Sequence, residues 1–335
     1  MKVLLLSDFF LSGQTTHVLE LAKQLQKMRM LPHIAFGTIH SRLFWSDYAP
    51  TLVKNGISFS HGLNIQGLTI QCRLWKPNVI HAQSSTLFQN AQVLSSRLNI
   101  PYVVTCHGLG FGQARFRRYL DSASAIIAIG PKVAAELSAY SHKTHIIPNG
   151  IDTDVFTPPP GQKGPRKALL YVGRLEKRRL EPLKYLVEAN AAIVGTPLKI
   201  ISNWNPNLPG TKYIPWQVNL VPHLQQSGLV AACGRTAREA LSCGNAVFLM
   251  QQAYDGLIAP QLVKQDDFDF SGNLERFDLA DLKYDLHTLL HRPHRLKKLQ
   301  NWGRSYAVTN LSSEEMAKKT AAVYKAVVQG LSRIP

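Results

Sequence analysis

The sequence predicts an α/β fold of two domains, each built on a parallel sheet with helices on both faces. Three observations lead there. A chain of 335 residues is too long for one ordinary core and suits two domains of roughly 150 residues each. Short apolar runs alternate with amphipathic stretches, the pattern of repeated strand–helix units with buried parallel strands. A run of prolines then interrupts this rhythm near mid-chain. Apolar residues make up 45% and charged residues 18% of the chain, a balance able to bury two cores.

In the first half, Val3–Ser7 reads as a strand and Thr16–Lys27 as a helix, with Val18, Leu21, Ala22 and Leu25 at helical spacing. Further strands are expected at Leu31–Phe36, Val79–Ala82, Tyr102–Thr105, Ala125–Ile129 and His145–Ile147, and helices at Leu87–Leu98 and Lys132–Ala139. The stretch Thr157–Pro165 fits neither helix nor central strand and reads as a linker. Beyond it, strands are expected at Ala168–Val172, Leu198–Ile201, Leu229–Ala232 and Asn245–Met250. Helices are expected at Leu180–Ala192, Thr236–Ser242, Leu279–Leu290 and Glu314–Leu331. Two such domains leave a cleft at the carboxyl ends of their sheets, so loops that follow strands are where chemistry is expected.

Ser7-Asp8 ends the first apolar run too early for a signal peptide, and no stretch approaches the ~20 apolar residues of a membrane span. Cys72, Cys106, Cys233 and Cys243 lack metal-ligand or paired spacing, which fits a reducing, cytoplasmic setting with no disulfide and no metal site. The net charge of +17 favours anionic membranes or phosphates. Residues 1–150 hold 14 Lys/Arg against 5 Asp/Glu and residues 151–335 hold 24 against 16, so charge alone selects no site. A basic surface without a specific partner is the alternative, and no nucleic-acid-binding module is recognisable.

Five segments carry candidate chemistry. The loop Leu11–His17, containing Gly13, opens onto a helix whose first amides attract anions or sugar hydroxyls; otherwise Thr15 or Thr16 simply caps the helix. His107 follows a strand, where it offers a contact to phosphate or sugar titrating near neutral pH, or else a structural hydrogen bond. Arg115-Phe116-Arg117-Arg118-Tyr119-Leu120 suits either an anionic membrane surface or a solvated helix with Phe116 and Leu120 in the core. Gly173-Arg174-Leu175-Glu176-Lys177-Arg178-Arg179 places four cations in a loop after a strand, a diphosphate clamp. In Cys233–Gly244, Gly234, Arg235 and Thr236 begin a helix that offers a second phosphate cradle. Glu239 lies one turn inside, either bridging ribose hydroxyls or exposed and paired with Arg235.

In order and spacing these segments, with Ile147-Pro148-Asn149-Gly150-Ile151-Asp152 and Phe156, resemble family 4 glycosyltransferases, retaining enzymes of GT-B fold. The resemblance implies that Gly173, Arg174 and Arg179 grip the diphosphate of a nucleotide-sugar donor such as a UDP- or GDP-sugar. It also implies that Glu239 holds the ribose, that His107 reaches the donor sugar and phosphate, and that Gly13 lies beside the transferred sugar. One position departs: the first glutamate of the family's E-x7-E pattern falls on Ala231. The expected division is 1–152 (acceptor side), 153–166 (linker), 167–310 (nucleotide sugar) and 311–335 (a helix returning to the N-terminal domain).

The expected activity is metal- and cofactor-independent transfer of a sugar to a glycan or lipid-linked acceptor in envelope or exopolysaccharide synthesis, at the inner face of the membrane. A non-catalytic nucleotide-sugar or glycan-binding partner, or an epimerase or hydrolase on the same scaffold, is the alternative.

Overall fold

The computed structural model describes residues 1–10, 12–217, 219–272 and 277–330. The chain divides into two compact units, unit 1 of Met1–Gly150 with Ser313–Pro335 and unit 2 of Ile151–Ser312.

Unit 1 is built on strands β1 (Lys2–Phe9), β2 (Leu31–Ile39), β3 (Ser58–His61), β4 (Val79–Ala82), β5 (Tyr102–Cys106), β6 (Ala125–Ala128) and β7 (Thr144–Ile146). They form one sheet in the order β3-β2-β1-β4-β5-β6-β7, every pair parallel. The winding reverses at β1, and such a reversal is where open α/β sheets bind ligands beyond the strand ends. Strand side chains alternate between faces. Val3 and Leu5 therefore join the core under the helices Gly13–Lys27 and Ser313–Val328, while Leu4 and Leu6 join the opposite core with Phe88 and Leu94. The final helix ends at Val328; Leu331, where its expected end fell, lies outside the described residues.

Unit 2 carries β8 (Leu169–Val172), β9 (Leu198–Ser202), β10 (Thr211–Pro215), β11 (Leu229–Ala232), β12 (Ala246–Met250) and β13 (Tyr254–Leu257). Their order is β10-β9-β8-β11-β12-β13. All pairs are parallel except β12 with β13. The proline stretch belongs to this unit. The Arg166 guanidinium donates to the carbonyls of Leu224, Gln225, Cys243 and Gly244 at 2.6 to 2.8 Å. Arg304 holds the carbonyls of Thr153 and Phe156 at 2.9 Å. Gly228 is required where this segment crosses the sheet, since a Cβ there would sit 1.8 Å from the Arg166 carbonyl oxygen. Among the described residues no helix is long and apolar enough to cross a membrane.

Candidate functional site

In unit 2, β8 and β11 are neighbours, so the loops that follow them share one stretch of the sheet's carboxyl edge. After β8, the Gly173 amide donates to Ile201 at 3.1 Å. A Cβ at this glycine would lie 2.9 Å from the Tyr171 hydroxyl, so the turn stays tight only with glycine. Leu175 is buried and fixed from β9's side: its amide donates to Asn203 Oδ1 at 2.6 Å, and its carbonyl accepts from Trp204 Nε1 at 3.1 Å. Arg174 is exposed. Arg179 folds back so that Nη1 donates to the Arg174 carbonyl at 2.8 Å, while its Nε is buried with no partner among the described residues. Burial pushes the Cys233 thiol up, and the Arg179 guanidinium pulls it down, a sign that the cation of one loop reaches the other.

After β11, Gly234 takes φ +59°, a backbone that favours glycine. Its amide donates to the Phe270 carbonyl at 2.5 Å, so Gly234 shapes the turn while the later amides of the helix Gly234–Ser242 form its start. Arg235 and Thr236 are half-buried there. Glu239 is 5% exposed, and its Oε1 accepts from Arg235 Nε at 2.7 Å. The pairing with Arg235 is thus present, but the carboxylate is buried where one reading had it exposed. Arg238 is a site neighbour to which the sequence pattern assigns no role. Its Cζ lies 4.6 Å from the centre of the Phe270 ring, and burial together with Arg235 lowers its pKa to about 10, which still leaves it charged at neutral pH.

Ala231 is a strand residue. It is fully buried in β11, in one cluster with Leu229 and Phe248. The strand ends at Ala232 and the helix begins at Gly234, so no loop exists at that position from which a carboxylate could project.

In unit 1, His107 follows β5. Its Nε2 lies 2.8 Å from Gln83 Oε1, and its ring meets that of His17 edge to face at 4.8 Å. Gln83 also bonds His81, whose Nδ1 lies 2.6 Å from the Tyr324 hydroxyl and whose Nε2 lies 2.7 Å from Thr105 Oγ1. Burial drives His81 down to about 3. Burial, then the neighbouring His17 and His81, hold His107 well below the ordinary imidazole range. The expectation that His107 titrates near neutrality is corrected: its ring is neutral, and with Gln83 Oε1 accepting, Nε2 carries the proton.

Gly13 is exposed at the start of the helix after β1, with open space where a Cβ would stand. The helix cap is Ser12, which accepts from the Thr15 amide at 3.4 Å, and not Thr15, whose hydroxyl bonds Phe10 at 2.6 Å. Leu11 of this loop lies outside the described residues. In the helix Ala114–Ser122, Phe116 packs against Phe111 and Phe88 at 4.9 and 6.1 Å, and Tyr119 and Leu120 are buried. These rings serve the core, while Arg115, Arg117 and Arg118 are exposed, as are Asp121 and Ser122.

Residues 11–155 match the family model described as Glycosyltransferase Family 4. No curated protein matches the chain in sequence. Among solved structures, the chain is similar to Anabaena HepE in complex with UDP, at 15% identity and TM-score 0.73, covering 97% of this chain and 100% of that one. A glycosyltransferase from Rickettsia africae matches at 16% identity and TM-score 0.76, with 98% of each chain covered. Sucrose-phosphate synthase from Thermosynechococcus elongatus matches at 16% identity and TM-score 0.68, covering 98% of this chain and 100% of that one. These likenesses establish the fold, which is GT-B.

Proposed function

We propose that the protein is a glycosyltransferase that moves a sugar from a nucleotide-sugar donor to a glycan or lipid-linked acceptor. The supporting observation is the adjacency of β8 and β11. It brings the basic loop Gly173–Arg179 and the helix start Gly234–Thr236, with buried Glu239 behind it, to one stretch of sheet edge. In this reading Arg174 and Arg179 grip the diphosphate, the first amides of the helix add partial positive charge, and Glu239 accepts from the ribose hydroxyls. HepE, similar in fold, was solved with UDP.

As the acceptor oxygen bonds to the anomeric carbon and the bond to the diphosphate breaks, negative charge gathers on the departing nucleotide, whose phosphate oxygen takes the hydroxyl proton. Guanidinium groups already in place stabilise it without waiting for solvent to reorganise. Neutral His107 hydrogen-bonds the transferred sugar beside Gly13, and the anomeric configuration is retained. No divalent ion takes part. The acceptor belongs to envelope or exopolysaccharide synthesis, and Arg115, Arg117 and Arg118 with the net charge of +17 hold the protein at the inner membrane face.

The test begins with thermal shift against UDP, GDP and ADP, since a ligand bound only to the native state raises its melting temperature. For the nucleotide that does so, Arg174→Ala is expected to cost tenfold or more in affinity at about 1.4 kcal/mol per decade, by calorimetry in EDTA. Unchanged affinity would defeat the assignment.

A further inference from the structure

Unit 1 carries a cavity of about 370 Å³ that none of the roles above uses, lined among others by Thr38, His40, Ser41, Arg42, Trp45 and His61. It opens where β2 ends at Ile39 and β3 at His61, with β2 next to β1 in the sheet. This is the carboxyl edge, one strand along from the loop of Gly13. Gly37 shapes the floor: a Cβ there would lie 2.7 Å from Asp8 Oδ1 and 2.9 Å from Leu87 Cδ2. Asp8 is committed beneath, accepting from the Thr38 amide at 2.8 Å and from the Thr86 hydroxyl.

Trp45 forms one wall. Its ring stands edge to face against Phe44, at 4.8 Å and 88°, and against His61, at 4.9 Å and 77°. Phe44 is in turn fully buried among Phe9, Phe36 and Phe59. Although anchored in this way, Trp45 remains 50% exposed. An indole fixed by its neighbours and still open to solvent presents an electron-rich face to the polarised C–H groups of a sugar ring. Arg42 adds a guanidinium, and no acidic side chain lines the cavity among the described residues. A neutral sugar would use only the indole, and a bare phosphate only the cation; the two together suit a sugar that bears an anion.

We propose that this cavity is an acceptor subsite for a pyranose carrying a carboxylate or phosphate ester, its ring stacked on Trp45 and its anion on Arg42. The proposal rests on the transferase reading and names the acceptor class, an acidic saccharide. Methyl β-D-glucuronide, glucose 6-phosphate and methyl β-D-glucoside, titrated into the full chain and followed by saturation-transfer NMR, test it. The neutral glycoside should bind at least about tenfold more weakly than the better anionic sugar, and the order of the two anionic sugars separates carboxylate from phosphate. Arg42→Gln should erase that preference. Trp45→Ala should abolish binding of all three, and Trp45→Phe should restore it; if the alanine variant does not fold, the Arg42→Gln and Trp45→Phe results decide. Equal binding of charged and neutral sugars, or binding that survives Trp45→Ala, overturns the proposal. Nucleotide binding measured on the same samples would then still stand, and its absence in the unaltered protein would strike the transferase reading instead.

Discussion

The two sheets end in carboxyl edges of opposite character, although both are parallel through the region concerned. In unit 2 the edge carries guanidinium groups: Arg174 and Arg179 lie in the segment after β8, Arg235 and Arg238 in the helix after β11, and the buried carboxylate of Glu239 pairs with one of them. In unit 1 the stretch of edge at β4 and β5 carries imidazoles held neutral by burial and by one another, tied to Gln83, Thr105 and Tyr324, while Arg42 lies farther along, past β2. Fixed cations suit a ligand whose charge is permanent, such as a diphosphate. Neutral donors and acceptors suit hydroxyls, because they orient a sugar without drawing in counter-ions. The same architecture thus offers two chemical settings, and what differs is how many charges the stretch beyond β8 and β11 and the stretch at β4 and β5 keep in water's reach.

The largest effect expected from breaking this contrast comes from restoring the carboxylate that the family pattern would put at Ala231. Since that side chain lies on the core face of β11, Ala231→Glu would bury a charge with no partner, at a cost of roughly several kcal/mol against a total stability of about 5–15 kcal/mol. Unit 2 should lose its cooperative melt while unit 1 keeps its protection from hydrogen exchange. A variant that melts like the parent and binds nucleotide more tightly would mean that position 231 reaches the site.

A smaller loss should follow from acid, and it should fall on unit 1. Burial pushes down His33 to about 4 and His81 to about 3, and also lowers His107 and His145, all of them in unit 1. The unfolded chain binds protons at these rings near pH 6.5 and the folded chain does not. Stability from this source is therefore whole above pH 6.5 and drains as pH falls toward 4, by about 1.4 kcal/mol per pH unit for each of His33 and His81. Hydrogen exchange at pH 7 and pH 5, corrected for intrinsic rates, should show unit 1 losing more protection than unit 2. Equal losses would mean that the histidines are not held neutral.

How far the sequence carries depends on where a residue lies in its sheet. Val79–Ala82 and Leu229–Ala232 emerge with the bounds read from the chain, because strands buried on both faces leave mostly apolar runs, broken in the first only by His81. The strands that escaped, Ser58–His61, Thr211–Pro215 and Tyr254–Leu257, all lie at sheet edges, where polar residues, a terminal Pro215 and Gly256 are tolerated. The helix Pro293–Asn310 escaped because its buried face consists of Leu296, Gln300, Gly303 and Ala307, spaced for a helix yet scarcely apolar. At the candidate site the loops were legible from their place after strands. The charge state of His107 and the shielding of Glu239 were not, since they depend on partners far along the chain: His81 meets Tyr324 across 243 positions, and Gly234 meets Phe270.

The smallest effect sharpens the assignment of the buried carboxylate on the cationic edge. If Glu239 accepts from the ribose, removing the 2′-hydroxyl of the nucleotide should weaken binding by about tenfold, the worth of one hydrogen bond to a charged group at ~1.4 kcal/mol. The same change should matter little to Glu239→Ala. Calorimetry with a nucleoside diphosphate and its 2′-deoxy counterpart reads both values, and the double difference isolates the contact from any general loosening of the helix. Arg235→Ala serves as the companion, since it breaks the 2.7 Å pair without removing the carboxylate. Discrimination between ribose and deoxyribose should persist in that variant. If it disappears there and survives in Glu239→Ala, the ribose is held by Arg235, and the buried glutamate only aims that guanidinium.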